Sequence, residues 1–475
     1  MKISSIHLKD YLRFKDFPLD LTYPAGHEKA GEPLDKVCFI GQSGTGKTTI
    51  LNLIRAIAAH GLIDKSYVMP SMKSITAETH LNTGAARHVQ IQDGEISVAM
   101  DKKTWKTTRK MTSKDIERHL AHYKDSNILL SFPADITTNL DGIFVETQSS
   151  AGFGFPILKE TKQEAETVSV QKPEDTLRLK FFDFDMKEVG KIWGNILKEV
   201  NEYKEAETRF NSGFAHQFSS QDGAVAPEML VKKLTEEFNR WKAANPNPLG
   251  PLAEKLNTIL NSFCLEIRPQ FKFESADDLR FVKVYATNGG REVPHKFWST
   301  GTKQLILTAT PLVQLNTDKS IILMDEPERS FYPDIQQKLV GFYTQLAPQA
   351  QFFFSTHSPI IASAFDPWEI VELKFDEQGN IVQDQFFDGE RAEENFRLHP
   401  KYLRWDSILT RVFDLENEGN PARAEKLQQL AELDVKLKRL KSNGQNRSDE
   451  AAQLWEAFKE TADLLDWKIT TYAQN

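Results

Sequence analysis

The sequence predicts an α/β chain: a largely parallel sheet, joined by an antiparallel β subdomain, a helical insertion and a helical C-terminal tail. Three observations predict it. "KVCFI", Lys36 to Ile40, is a short apolar run followed by a glycine-rich turn and the helical pattern "ILNLIRAIAAHGL". From Lys296 to Leu373 the pattern alternates helix, strand, helix, strand, as a parallel sheet requires. "SIILM", Ser320 to Met324, is apolar without alternation, which fits a central strand covered on both faces.

Taken in order, Met1 to Asp20 alternates apolar and polar residues and reads as two strands with a turn. Tyr23 to Asp35 is rich in Gly, Pro and charge, so it is a loop. Ser66 to Lys114 reads as a strand-rich lobe, with "HVQIQDGEISVAM" its best hairpin. "NILLSFPADI", Asn127 to Ile136, is a buried strand stopped by Pro133. Ala151 to Thr176 is polar and loop-like. Helices are expected at Lys187–Phe210, Pro227–Ala244 and Leu252–Phe263, and strands at "LEIRPQFKF" and "RFVKVYA". Asn420 to Asn475 is charged and helical, broken around "SNGQNRSD". The expected division is 1–150 (N-terminal lobe with the β subdomain), 151–265 (mainly helical insertion), 266–390 (C-terminal lobe) and 391–475 (charged tail, a partner or oligomerisation surface).

The bulk numbers bound the class. The chain has 475 residues, 40% hydrophobic and 27% charged, with no apolar run long enough for a membrane helix and no signal-peptide pattern at the N-terminus. A cytoplasmic protein without a membrane partner is the expectation. Cys38 and Cys264 stand far apart in apolar surroundings, which reads as two buried thiols in a reducing compartment. The formal net charge of −8 argues against a general nucleic-acid coat. It leaves room for a local basic groove, because screening confines the phosphate field to about 8–10 Å.

Gly41–Gln42–Ser43–Gly44–Thr45–Gly46–Lys47–Thr48 fits G-x-x-x-x-G-K-[ST] in full and lies between a buried strand and a helix. The glycines let backbone N–H groups face phosphate oxygens, and the helix N-terminus adds partial positive charge. Lys47 would set an ammonium against the β- and γ-phosphates, Thr48 would give a hydroxyl to Mg2+, and Thr49 completes the binding segment. Far along the chain "SIILM" ends in Asp325–Glu326. At the carboxyl edge of such a sheet Asp325 would hold Mg2+ through water, while Glu326 would polarise an attacking water. "KFWSTGTKQL" lies before this strand, and "FFFSTHSPIIA" is a further buried strand ending at His357.

This order of phosphate loop, Ser-x-Gly turn, acidic strand and His-ended strand resembles the ATP-binding-cassette (ABC) type ATPases, within them the RecF-like and SMC-like branch. "DEPERSFYPDIQ" with "STHSPIIA", and the opening "ISSIHLKDYLRFKDFPLDL", are most similar to stand-alone ATPases of the OLD and related bacterial anti-phage families. The resemblance covers roughly residues 1–60 and 295–375 and implies an ABC-type P-loop ATPase head using ATP and Mg2+. It implies that Ser299 and Gly301 form a signature turn reaching the γ-phosphate of a partner's ATP, that His357 is the switch histidine, and that Glu328 to Asp334 couple the two sites. "STG" opening a helix suits an anion site on physical grounds too. The chain departs from the family at Trp298, where Leu is preferred, at Thr302, where an acidic or amide residue is usual, and at Tyr332, where His is common. Gln148 is the nearest glutamine for a lobe-coupling segment after "NILLSFPADI".

The resemblance implies a homo-oligomer built from head-to-head, ATP-dependent dimers that control a separate nuclease or toxin, as in Septu-like or PARIS-like defence. The alternatives are a DNA-binding recombination or repair ATPase and an OLD-like nuclease ATPase acting on DNA. An in-chain nuclease would need a further sheet domain on the order of a hundred residues with clustered carboxylates. The residues after His357 offer instead charged helices in which acids such as Glu425 and Glu432 sit beside Lys and Arg. "KKTWKTTRKMTSK", Lys102 to Lys114, fits DNA-backbone neutralisation with stacking, and fits slightly better an exposed hairpin of solvated lysines.

Overall fold

A computed structural model describes residues 2–59, 74–80, 86–92, 95–100, 103–107, 129–134, 136, 181–183, 192, 196, 199–200, 202–209, 212, 227–269, 283–294, 297–383, 400–413, 421–444 and 448–467. They fall into two compact units, Met1–Tyr402 and Leu403–Asn475.

Among the described residues, two large sheets and one short strand pair lie in the first unit. The parallel one uses β3 (Lys36–Gly41), β8 (Leu129–Phe132), β9 (Phe181–Asp183), β12 (Ile321–Asp325), β13 (Gln351–Ser355), β14 (Ile370–Phe375) and β15 (Ile381–Gln383). Its order is β15-β14-β3-β13-β12-β8-β9, with the β14–β15 pair antiparallel and every other pair parallel. Residues 321–324 and 351–355 are buried throughout, which is why their sequences show no polar alternation.

The second sheet is antiparallel, in the order β2-β1-β4-β5-β6-β7. It joins β1 (Lys2–Tyr11) and β2 (Phe14–Asp20) to β4 (Ser74–His80), β5 (Ala86–Gln92), β6 (Glu95–Met100) and β7 (Lys103–Thr107). The opening strand pair and the later strand-rich lobe are thus one sheet. Alternation in β1 predicted a strand but could not name β4 as its partner. Ile6, Leu8, Phe14 and Phe17 from this sheet share one core with Val37, Phe39, Leu323 and Phe353 of the parallel sheet. Burying each such side chain stabilises the fold by roughly 1.5–3 kcal/mol.

Helix α1 (Lys47–Ala59) starts in the phosphate loop and turns Ile50, Leu53, Ile54 and Ile57 into that core. The helices α2 (Pro227–Ala244) and α3 (Leu249–Leu260) follow, then the short pair β10 (Leu265–Ile267) and β11 (Val284–Ala286). Further along the chain come α4 (Thr300–Gln314), α5 (Pro333–Leu346) and α6 (Pro359–Ala362). Cys38 is buried, but Cys264 is exposed, contrary to the expectation of two buried thiols. It closes a 3-10 turn in left-handed backbone, φ 56°, so the chain reverses at the surface there.

The second unit holds α7 (Trp405–Arg411), α8 (Pro421–Ser442) and α9 (Asp449–Leu464). Leu430 on α8 meets Phe458 and Ala462 of α9 and Leu465 just beyond it, flanked by Leu427, Leu433, Leu437 and Trp455. The spacing of these leucines is helical, so α8 presents one apolar stripe. Ser448 caps α9 by accepting the Ala451 N–H. Residues 445–447 of the predicted break, the side chains of β7 and most of the Lys102–Lys114 segment lie outside the described residues. So do Gln148 and the 151–176 loop.

Candidate functional site

The carboxyl ends of β3, β13 and β12 lie side by side. Register pairs Phe39 with Ser355 and Ser355 with Asp325, so the phosphate loop, the serine and the first acid reach the edge together. That register brings Asp325 to a loop placed far from it in the sequence.

The loop bends where only glycine fits easily. Gly41 has φ 140°, and a Cβ there would stand 2.3 Å from the Leu373 carbonyl oxygen. Gly46, at φ 84°, faces Phe14 at 2.9 Å. Gln42, Ser43 and Gly44 are exposed, Thr45 and Lys47 are buried, Thr48 is exposed and Thr49 is half-buried. The Lys47 ammonium is folded over the loop, donating to the carbonyls of Gly41 (2.9 Å) and Gln42 (3.0 Å). Burial pulls its pKa below the usual lysine value, and the carboxylates of Glu326, Asp325 and Glu328 oppose that shift.

Thr48 Oγ1 donates to Asp325 Oδ2 at 3.0 Å, while Ser355 Oγ donates to Asp325 Oδ1. A hydroxyl and a carboxylate held this close suit a hard divalent cation such as Mg2+. Among the described residues no three or more His, Cys, Asp or Glu side chains form a ready cage. Such an ion would therefore draw its other ligands from phosphate and water.

Glu326 leaves the strand in left-handed backbone, φ 45°, conspicuous for a residue with a side chain. Its N–H donates to the Ser355 carbonyl at 2.9 Å and its carbonyl accepts the Arg329 N–H at 3.2 Å, which hold it there. A conformation of this kind costs on the order of 1–3 kcal/mol and is concentrated at functional sites. The Glu326 side chain lies beside His357, whose Nε2 is 3.8 Å from Glu326 Oε1. Burial and the Lys47 charge push the His357 pKa below its ordinary value, with Glu326 and Asp325 opposing.

Ser299 caps α4, accepting the Thr302 N–H at 3.1 Å. Gly301 is buried against the turn after the acids: a Cβ there would stand 2.7 Å from the Ser330 carbonyl oxygen. Gln304, one turn along α4, donates to the Pro327 carbonyl at 3.1 Å. The Ser299–Gly301 turn and the turn after the acids are thus packed together within one chain.

Sequence reasoning assigned no site role to Gln304, Gln336, Ser355 or Thr356, and took Glu328 only as part of a coupling segment. Gln336 donates to the Phe331 carbonyl (2.8 Å) and accepts the Ser358 hydroxyl (2.7 Å). Glu328 accepts from the Thr356 hydroxyl and, at 3.3 Å, from the His357 N–H. The signal available for Glu328 was its place two residues beyond Glu326, but its burial could not be read from that.

The family model described as AAA ATPase domain (AAA_15) matches residues 1–362. Septu protein PtuA of Bacillus thuringiensis is 24% identical over 193 residues, covering 35% of this chain and 48% of that protein. The match thus takes in about half the length of that curated relative. Among solved structures, an Smc head bound to the C-terminal winged-helix domain of ScpA aligns over 83% of this chain and 100% of its own, at TM-score 0.43 and 12% identity. An SMC head domain from Thermotoga maritima aligns over 81% and 98%, at TM-score 0.39 and 11% identity.

Proposed function

The chain belongs to the AAA ATPase domain family, and on that premise we propose that it binds and hydrolyses ATP with Mg2+ as an ATP-gated dimeric switch. The observation that carries this reading is the Thr48 Oγ1–Asp325 Oδ2 contact of 3.0 Å, which joins the phosphate loop to the acidic strand end. Gly41 to Thr49 cradle the phosphates. Lys47, poised on the carbonyls of Gly41 and Gln42, turns to the β- and γ-oxygens. Thr48 and Asp325 would hold a magnesium ion, which when bound would neutralise charge developing on the phosphates.

Glu326 accepts the proton of the attacking water, and His357, 3.8 Å away, orients that water and senses the γ-phosphate. A depressed histidine pKa favours a neutral ring at physiological pH, able to accept or donate a hydrogen bond. Ser299 and Gly301 serve the nucleotide of a second copy, so neither copy is complete alone. The exposed Tyr332, beside the turn that packs on Gly301, belongs to the same pairing face. ATP favours the paired state because its γ-phosphate bonds to both copies exist only there.

In the cell we assign this switch to anti-phage defence, acting on a separate nuclease or toxin. The support is the motif resemblance and the similarity to Septu protein PtuA. Phosphate release from ATP by the full chain tests the reading. Turnover with Mg2+, lost on chelation and regained when Mg2+ is restored, is the expected result; no turnover with Mg2+ would defeat it.

A further inference from the structure

Glu328 is a buried acid to which the mechanism above gives no task. It is only 8% exposed. Oε1 takes both hydrogen bonds, from the Thr356 hydroxyl and the His357 N–H, while Oε2 is buried without a hydrogen-bond partner. Burying a half-satisfied carboxyl group costs free energy. What it holds is the junction from which His357 projects. Glu326, on the same turn, faces the His357 ring at 3.8 Å. One turn therefore grips His357 twice, at the backbone through Glu328 and at the ring through Glu326. Gln304 fixes that turn from the α4 side through the Pro327 carbonyl, and Gln336 ties its far end to Ser358.

We propose that Glu328 is a positioning residue for hydrolysis, a strut that sets the His357 strand end against the turn carrying Glu326. The inference rests on the roles given to Glu326 and His357 above. Glu328 touches no reacting atom and acts through His357.

Its charge state adds a signature that a plain structural tie lacks. Burial, aided by the Glu326 charge, raises its carboxyl pKa to about 7, against the bonds from Thr356 and His357 that favour ionisation. Among the other titratable groups, its charge opposes the lowering of the Lys47 pKa and adds to the burial that raises the Cys38 thiol, while His357 meets it through the backbone N–H. The ionised carboxylate is the stronger acceptor. The strut is therefore firmest above about pH 7 and slackens as pH falls through that value.

The test is steady-state ATP hydrolysis by the full chain as wild type, Glu328→Ala and Glu328→Gln, between about pH 5.5 and 8.5. Alanine removes the acceptor, so kcat should fall about ten-fold at the upper pH with KM within about two-fold. Glutamine keeps an acceptor and cannot ionise. It should hold kcat within about three-fold at the upper pH and lose the limb near pH 7. An alanine variant with wild-type kcat, or a glutamine variant that keeps the limb, would overturn the inference. If the alanine variant does not fold, the glutamine profile decides alone. A wild type that turns over no ATP would overturn this inference and the proposed function together; turnover beside an unaffected alanine variant would overturn this inference only.

Discussion

At the amino ends of β3 and β13, Gln351 is fully buried, donating to the carbonyls of Ile3 and Leu34 (2.9 Å each) and accepting the Ile3 N–H (2.7 Å). Beside it Asp35 takes Lys2, Lys29 and the Tyr23 hydroxyl, and the Lys36 ammonium meets Glu369 and the Ala364 carbonyl. At the opposite edge, the carboxyl ends of β3, β13 and β12, Glu328 keeps one oxygen unpartnered, Glu326 sits in left-handed backbone, and Lys47 is bonded to its own loop. At the first end the Gln351 bonds to Ile3 and Leu34 tie the opening strand of the antiparallel sheet to the parallel sheet. The second end leaves groups whose partners a nucleotide could supply. Along one sheet, the bonds named at one end serve stability, while the left-handed backbone of Glu326 and the unpartnered oxygen of Glu328 lie at the other, beside the phosphate loop.

That division can be broken experimentally. The largest effect should come from Glu326→Gln, which removes the proposed base while keeping its shape. Phosphate release should fall by about 10²–10⁴-fold with ATP binding retained. A variant with normal turnover would move the base elsewhere. At the opposite end Gln351→Leu leaves the Ile3 amide and the carbonyls of Ile3 and Leu34 without their partner. Urea unfolding should show a loss of about 2–4 kcal/mol, while kcat per folded molecule stays near wild type. A fall in kcat to match Glu326→Gln would erase the distinction between the ends.

Asp35→Asn sharpens the comparison with a smaller effect. Burial opposes ionisation of Asp35, but hydrogen bonds from Lys2 and Lys29 outweigh it and hold the carboxyl at about 2. A carboxyl held below its unfolded value stabilises the fold above that unfolded value, near 4, and the contribution is lost as pH falls through about 2. The variant should therefore unfold a few degrees earlier than wild type at pH 7, with the gap narrowing as pH drops below about 4. A gap independent of pH would show that Asp35 acts through packing instead of charge.

What the sequence disclosed follows from how local the signals are. The phosphate loop is contiguous, so its residue types and spacing carried the prediction. "SIILMDE" disclosed a covered strand ending in acids because burial on both faces removes alternation. The Gln351 bridge was not legible, since its partner Ile3 is 348 residues away and a glutamine at a strand start has no pattern. Glu328 was visible only as a letter in the coupling segment, because its burial depends on Thr356 and His357 arriving from another strand. Cys264 misled because apolar neighbours in sequence do not guarantee burial at a left-handed turn. Pairing of β1 with β4 needed the fold itself.

The claim that two copies complete each other's site is tested most directly by measuring the mass in solution of the full chain carrying Glu326→Gln, with and without ATP and Mg2+. A mass that doubles only when ATP and Mg2+ are present is the predicted result. A mass unchanged by nucleotide, in a variant shown to bind ATP, would contradict it.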